Sequence, residues 1–144
     1  MTITVKPVST RDELEDAFDI RRKVFIEEQQ VTEELEFDGK DDGSRHFLAL
    51  KDGTPIGTFR LVFLKDTAKL QRFAVLKRYR KSGVGHLMME SALKAIKHEG
   101  CKEIVLDAQI RVRAFYERFG FKAEGGEFMD AGIPHVKMRL RSIP

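Results

Sequence analysis

The chain has 144 residues, 42% of them hydrophobic and 34% charged, with a formal net charge of +3; this is the composition of one soluble globular domain, taken as 1–144, around one core. No apolar run approaches the roughly 20 residues of a membrane span, and the opening MTITVKPVST lacks the apolar segment of a secretory signal. Cys101 has no second cysteine to pair with, so a reducing cytoplasm is the expected setting, without membrane association.

The predicted elements begin with a short strand at 2–8. Thr10 then stands three residues before Glu13, the spacing of a capping box. The helix that follows places Leu14, Ala17, Phe18, Arg21, Val24 and Phe25 near one face. The stretch EEQQVTEELEFDGKDD at 27–42 is strongly acidic and breaks regular patterning up to about Arg45. Two strand-like runs then flank Asp52-Gly53, a hairpin signal, and a third run, KLQRFAVL at 69–76, completes an antiparallel meander. Val84, Leu87, Met88, Ser91, Ala92, Ala95 and Ile96 recur at helical spacing, and Gly100 ends that helix. Cys101 follows at the start of an apolar run and reads as a small, half-buried residue rather than a nucleophile. EIVLDAQ at 103–109 is a buried-strand run. With strand 69–76 and the helix it makes a βαβ unit, so the two strands are expected to be parallel. A short helix at 112–119 and two strands, about 121–129 and 135–141, finish the chain around the turn DAGIP.

The chemistry concentrates between strand 69–76 and the next helix. KRYRK at 77–81 is strongly basic, and Gly83 and Gly85 follow it at the helix start. A helix N-terminus has unpaired N–H groups and the positive end of the dipole. Glycines let a phosphate approach the backbone, and Arg80, Lys81 and Ser82 add donors. A pyrophosphate is the natural guest. A glycine-containing turn that merely starts a helix has the same spacing, and neither the P-loop pattern nor the full G-x-G-x-x-G fingerprint is present.

RKSGVG at 80–85 resembles the acyl-CoA loop of the GNAT superfamily of N-acetyltransferases, written [QR]-x-x-G-x-[GA]. AFYERFGF at 114–121 is similar to that family's downstream helix and strand start. The element order βα, meander, βαβ, αββ is also that of a GNAT fold. RRKVFIEEQQV near the N-terminus and GGEFMDAGIPHVKM near the C-terminus resemble the YjcF/ElaA-like branch. The resemblance implies an α/β (α+β layered) architecture. Its sheet is mixed and mostly antiparallel, its central parallel strand pair splays to hold acyl-CoA, and about four helices flank it.

It also implies direct transfer of an acetyl group from acetyl-CoA to an amine. Backbone groups of Phe73, Ala74 and Val75 would pair with the pantetheine arm. Arg80, Lys81, Ser82, Gly83, Val84 and Gly85 would bind the pyrophosphate, and Gln109 would face the same slot. Tyr116 would protonate the leaving thiolate, or else is an amphipathic core tyrosine. For the base, His135 carries the side chain type that titrates nearest neutrality. It competes with a packing role, with Glu28 as the runner-up and His46 behind it. His86 and His98 read as helix-surface residues. No Cys/His cluster has metal-ligand spacing, so no metal is expected. A small-molecule amine is the expected acceptor, and the acidic stretch is expected to attract a cationic one. A protein lysine or N-terminal acetyltransferase and a non-catalytic acyl-CoA-binding sensor remain open. Nucleic-acid binding through KRYRK is disfavoured by the absence of an interleaved aromatic platform and by the nearby acidic stretch. Oligomers are common in the family, which implies a homodimer.

Overall fold

A computed structural model of the chain describes residues 2–144. The strands and helices are β1 (Ile3–Pro7), α1 (Arg11–Arg21), α2 (Glu33–Glu36), β2 (Arg45–Lys51), β3 (Thr54–Leu64), β4 (Thr67–Val75), α3 (Val84–His98), β5 (Glu103–Gln109), α4 (Arg113–Glu117), β6 (Lys122–Asp130) and β7 (Ile133–Leu140). All the strands join one seven-stranded sheet in the order β1-β2-β3-β4-β5-β7-β6. No helix among the described residues is long and apolar enough to cross a membrane.

Local chemistry explains most boundaries. Thr10 accepts from the Glu13 N–H, and the Glu13 carboxylate accepts from the Thr10 N–H in return, so the capping box closes. Asp52 and Gly53 both have positive φ, 49° and 84°. They form the two-residue primed turn that matches strand twist, and Lys51 pairs with Thr54 across it. β5 falls on the expected residues, because a buried apolar run bounded by polar neighbours leaves little freedom of register.

The sheet carries a core on each face. On one, α3 and α4 cover an apolar cluster that includes Phe59, Leu61, Met88, Met89, Ile96, Ile104, Phe121 and Met138. On the other, Ala17, Ile20 and Val24 pack on Leu48 and Ala74. Cys101 is buried, with its thiol against the Lys65 carbonyl.

β4 and β5 are parallel, but they pair only over Thr67–Lys69 and Glu103–Val105. Beyond that point they separate. The cause lies in β4, where Thr58 of β3 pairs with Ala74 and Arg60 pairs with Gln71. Arg72 and Phe73 therefore oppose Phe59 alone, which is a β-bulge. Arg72 sits at φ 56°, a conformation few residues with a Cβ adopt. The bulge turns the end of β4 away from β5 and leaves a slot between them.

Two expectations need correction. The acidic stretch is not irregular: α1 continues as a π-helical segment over Arg22–Glu28, and α2 forms inside the stretch. Its order comes from distant arginines rather than from apolar periodicity. The helix expected at 112–119 is a 3₁₀ turn, Ile110–Val112, followed by the shorter α4.

Candidate active site

A cavity of about 840 Å³ opens along the slot. Its lining draws on the π-helical segment, α2, the β4 bulge, the start of α3, the end of β5, α4 and the β6–β7 hairpin. The helix α3 starts at Gly83, which has φ 89°, and no side chain caps its first N–H groups. A Cβ on Gly83 would meet nothing within 4 Å. That leaves the backbone approachable by an anion and the positive helix end open. Gly85 is also needed for packing. A Cβ there would lie 3.3 Å from the Phe115 ring, so this glycine makes room for an aromatic cluster. In that cluster Phe73 stands 5.6 Å from Phe115 and 6.2 Å from Tyr116.

The basic loop divides its work. Arg80 is engaged: its Nε donates to the Val75 carbonyl at 2.9 Å, and its terminal nitrogens grip Glu28 at 2.6 and 2.8 Å. Ser82 donates its hydroxyl proton to the Tyr79 carbonyl. Val84 is buried in the core. Lys81 is exposed at the cavity rim, with its backbone at φ 66°. Lys81 and the uncapped N–H groups are thus the anion donors still open.

On the strand side, Phe73 completes the bulge and Ala74 and Val75 follow it, where β4 has no β5 partner. On that edge the Val75 carbonyl accepts from Arg80. Gln109 ends β5 and donates to Gln29 at 2.8 Å while accepting from Arg111 at 2.9 Å. It ties the π-helical segment to the far lip of the slot.

Tyr116 is 8% exposed, lies in the lining, and its hydroxyl has no protein partner among the described residues. Burial pushes its pKa far above the ordinary tyrosine value, so the group is a phenol at neutral pH. His135 is also buried, and its ring stacks on Phe128 at 5.9 Å. Its Nδ1 lies 2.7 Å from the Ile133 carbonyl. A carbonyl can only accept, so Nδ1 carries the proton, and Nε2 of the neutral ring is left as the basic atom. β5–β7 register places His135 opposite Gln109, at the open end of the slot. Glu28 is held below the ordinary carboxylate range, first by its hydrogen bond to Arg80. His46 is buried away from this lining, with Nε2 donating to the Asp41 carbonyl at 3.0 Å. His86, read as a surface residue, lies in the first turn of α3 and lines the cavity.

Sequence reasoning missed a ring of charge beside the slot. Arg21 contacts Glu36 at 2.8 Å, Glu36 contacts Arg72 at 3.1 Å, and Arg72 contacts Asp38 at 3.3 Å. Asp38 contacts Arg60 at 2.9 Å, Arg60 contacts Asp41 at 2.9 Å, and Asp41 returns to Arg21 at 2.7 Å. Arg21 and Arg60 are each 1% exposed. Burial raises the Glu36 carboxyl, while Arg72 and Arg21 oppose that rise. Asp38 is held well below its ordinary value, chiefly by Arg60. The two carboxylates of the acidic stretch that line the cavity, Glu36 and Asp38, are therefore neutralised by arginine. They do not form the free anionic wall expected to draw a cationic acceptor. The available signal was three arginines in apolar settings: Arg21 on the apolar face of α1, and Arg60 and Arg72 inside strand runs.

Known proteins share this fold. A profile of the acetyltransferase (GNAT) domain matches residues 7–142. The uncharacterized N-acetyltransferase YjcF of Bacillus subtilis is 37% identical over 128 residues, spanning 88% of this chain and 91% of its own. The structure of an acyl-CoA N-acyltransferase from Pseudomonas aeruginosa superposes with a TM-score of 0.83 and is 30% identical, covering 96% of this chain and 97% of that one. Escherichia coli ElaA superposes with a TM-score of 0.86 and is 25% identical, over 96% and 99%. A splayed parallel strand pair in a mixed seven-stranded sheet, an uncapped glycine-led helix facing the slot, and these relatives lead to one conclusion: the chain belongs to the GNAT acetyltransferase family, in its YjcF/ElaA-like branch.

Proposed function

We propose that residues 1–144 form a single domain that transfers an acetyl group from acetyl-CoA to the primary amine of a small molecule, by direct attack in a ternary complex. The observation that carries this reading is the shared opening of two features on one cavity: the uncapped start of α3 and the unpaired edge of β4 beyond its bulge. The N–H groups of the first α3 turn, with Lys81, hold the pyrophosphate. The edge at Phe73–Val75, apart from the Val75 carbonyl that Arg80 holds, takes the pantetheine arm, and one of its N–H groups polarises the thioester carbonyl. The buried ring of Tyr116 and the half-buried rings of Phe73 and Phe115 keep water from that end.

The acceptor enters from the side of α2 and the β6–β7 hairpin. His135 Nε2 takes a proton from the amine as its nitrogen bonds to the thioester carbon. The carbon–sulfur bond of the tetrahedral species then breaks, and the Tyr116 hydroxyl gives its proton to the departing thiolate. The ion pair with Arg80 leaves Glu28 a structural part, closing the loop onto the π-helical segment. Support for a small acceptor comes from α2, which the charge ring pins as a wall of the cavity. The reading places the protein in the cytoplasm, where acetyl-CoA is made available, with no metal required.

A thiol-release assay with acetyl-CoA and a library of small amines, amino sugars and lysine peptides tests the function. Release with small amines and none with peptides is expected; release with peptides alone transfers the reading to protein acetylation. Saturable acetyl-CoA binding with no release against any acceptor would instead mark an acyl-CoA sensor. His135→Ala should slow turnover about 10²-fold, the low end for general acid–base catalysis, while acetyl-CoA affinity is retained. Parental turnover in that variant removes His135 as the base.

A further inference from the structure

We propose that the ring formed by Arg21, Glu36, Arg72, Asp38, Arg60 and Asp41 is a positioning device that fixes the donor-binding edge of β4 and the acceptor-side wall α2 as one unit, with Arg72 as its positioning residue. The inference rests on the functional reading above.

Arg72 is the residue on which the two halves of the site meet. Its backbone is the bulge itself, at φ 56°. Its side chain reaches away from the sheet to the carbonyls of Leu35 at 3.2 Å and Glu36 at 3.1 Å, and to the Asp38 carboxylate at 3.3 Å. A residue with a Cβ holds such a backbone only where its surroundings over-determine it. Here the surroundings are the four acceptor groups of the α2 segment, counting the Glu36 carboxylate at 3.1 Å. The three acids are in turn held by Arg60 from β3 and Arg21 from the end of α1. Phe37 and Phe18 cover the Arg21 guanidinium at 4.8 and 5.3 Å from their ring centroids. Every member of the ring has a charged neighbour on both sides, so no single contact can shift alone.

Phe73, the second residue of the bulge, begins the edge that takes the pantetheine arm. Displacing Arg72 therefore moves Phe73, Ala74 and Val75, and it also frees α2 from the cavity wall. The consequence is reciprocal: occupation of the slot by the donor steadies α2, and a secured α2 favours the slot. Arg72 touches neither the reacting carbon nor the sulfur in this account. Its planar fork matters, because a lysine ammonium cannot bridge two carboxylates and two carbonyls from one position.

The test uses the full chain and acetyl-CoA. Affinity is measured by calorimetry, and hydrogen exchange is followed over residues 33–41 with and without the ligand. In the parent, acetyl-CoA should slow exchange over 33–41, although those residues lie away from the α3 loop. Arg72→Ala should weaken affinity about tenfold and abolish that exchange response, while Arg72→Lys should show a partial loss of both. Ile96→Val, a core change under α3 away from the ring, should lower the melting temperature and leave both readouts intact. If Arg72→Ala does not fold, Arg72→Lys carries the test. Parental affinity and exchange response in a folded Arg72 variant overturn the proposal, as does a parent that binds acetyl-CoA without slowing 33–41. A parent that fails to bind acetyl-CoA at all strikes the functional reading first, and the positioning role falls with it.

Discussion

Arg60→Ala is expected to destabilise the protein by about 3–5 kcal/mol, the cost of breaking a buried ion network by removing one partner. Arg60 is 1% exposed and holds Asp38, Asp41 and Gln71 together. Its loss leaves two carboxylates facing each other's field with Arg21 and Arg72 as the remaining counter-charges. The pH dependence gives a second signature. Asp38 is held below its ordinary value first by Arg60; Asp41 is held below it by Arg21 and Arg60 against the opposing effect of burial. A carboxyl with a lowered folded pKa contributes stability that is complete above its unfolded value, about 3.9 for aspartate, and is lost as pH falls through the folded value. The gap between Arg60→Ala and the parent should therefore be widest at neutral pH and narrow below about pH 4. Urea unfolding at several pH values measures it. A gap of under about 1 kcal/mol at pH 7, the scale of an exposed pair, would show that the ring contributes little to the fold.

Tyr116→Phe is the second large effect. The phenyl ring keeps the packing against Phe73, Phe115 and Phe121, so the fold and most of the acetyl-CoA affinity should survive. What disappears is a hydroxyl that burial holds protonated at the cavity wall. Loss of a general acid costs about 10²–10⁴ in rate. A thiolate is already a tolerable leaving group, with an ordinary thiol pKa of about 8.5, so a fall in turnover of at least about tenfold is the expectation, near the lower end of the acid–base range. Steady-state kinetics on an active acceptor, with affinity measured in parallel, decide the matter. Turnover within about twofold of the parent, roughly 0.4 kcal/mol on the barrier, makes Tyr116 a packing residue.

Local signals in this chain were legible where local chemistry decides the outcome. The Thr10–Glu13 box, the Asp52-Gly53 turn and the apolar run 103–109 each specify their own geometry within a few residues. The uncapped start of α3 was visible for the same reason: Gly83 supplies a left-handed backbone and no oxygen to cap the helix. The ring was not visible, because its partners are far apart in sequence. Arg21 and Glu36 are 15 residues apart, and Arg72 and Glu36 are 36 apart. Such pairs leave no period for a pattern to follow. The acidic stretch consequently read as irregular and as free negative charge, when part of it is folded and neutralised. The bond between Arg80 and Glu28, 52 residues apart, was hidden in the same way. It braces the loop through the Arg80 guanidinium expected at the phosphate and the Glu28 carboxylate weighed as a base. Gly85 shows a subtler limit: its spacing suggested contact with a ligand, and its neighbour is the ring of Phe115.

The most direct test of the central claim is a calorimetric titration of the full chain with acetyl-CoA, run beside Lys81→Glu. Lys81 is exposed at the mouth of the α3 loop, so reversing its charge leaves the core untouched and places a negative group where the pyrophosphate is expected. Saturable binding of one molecule per chain is expected for the parent, weakened at least about tenfold in the variant, which corresponds to about 1.4 kcal/mol. Absence of saturable binding to the folded parent, or equal binding by parent and variant, would contradict that claim.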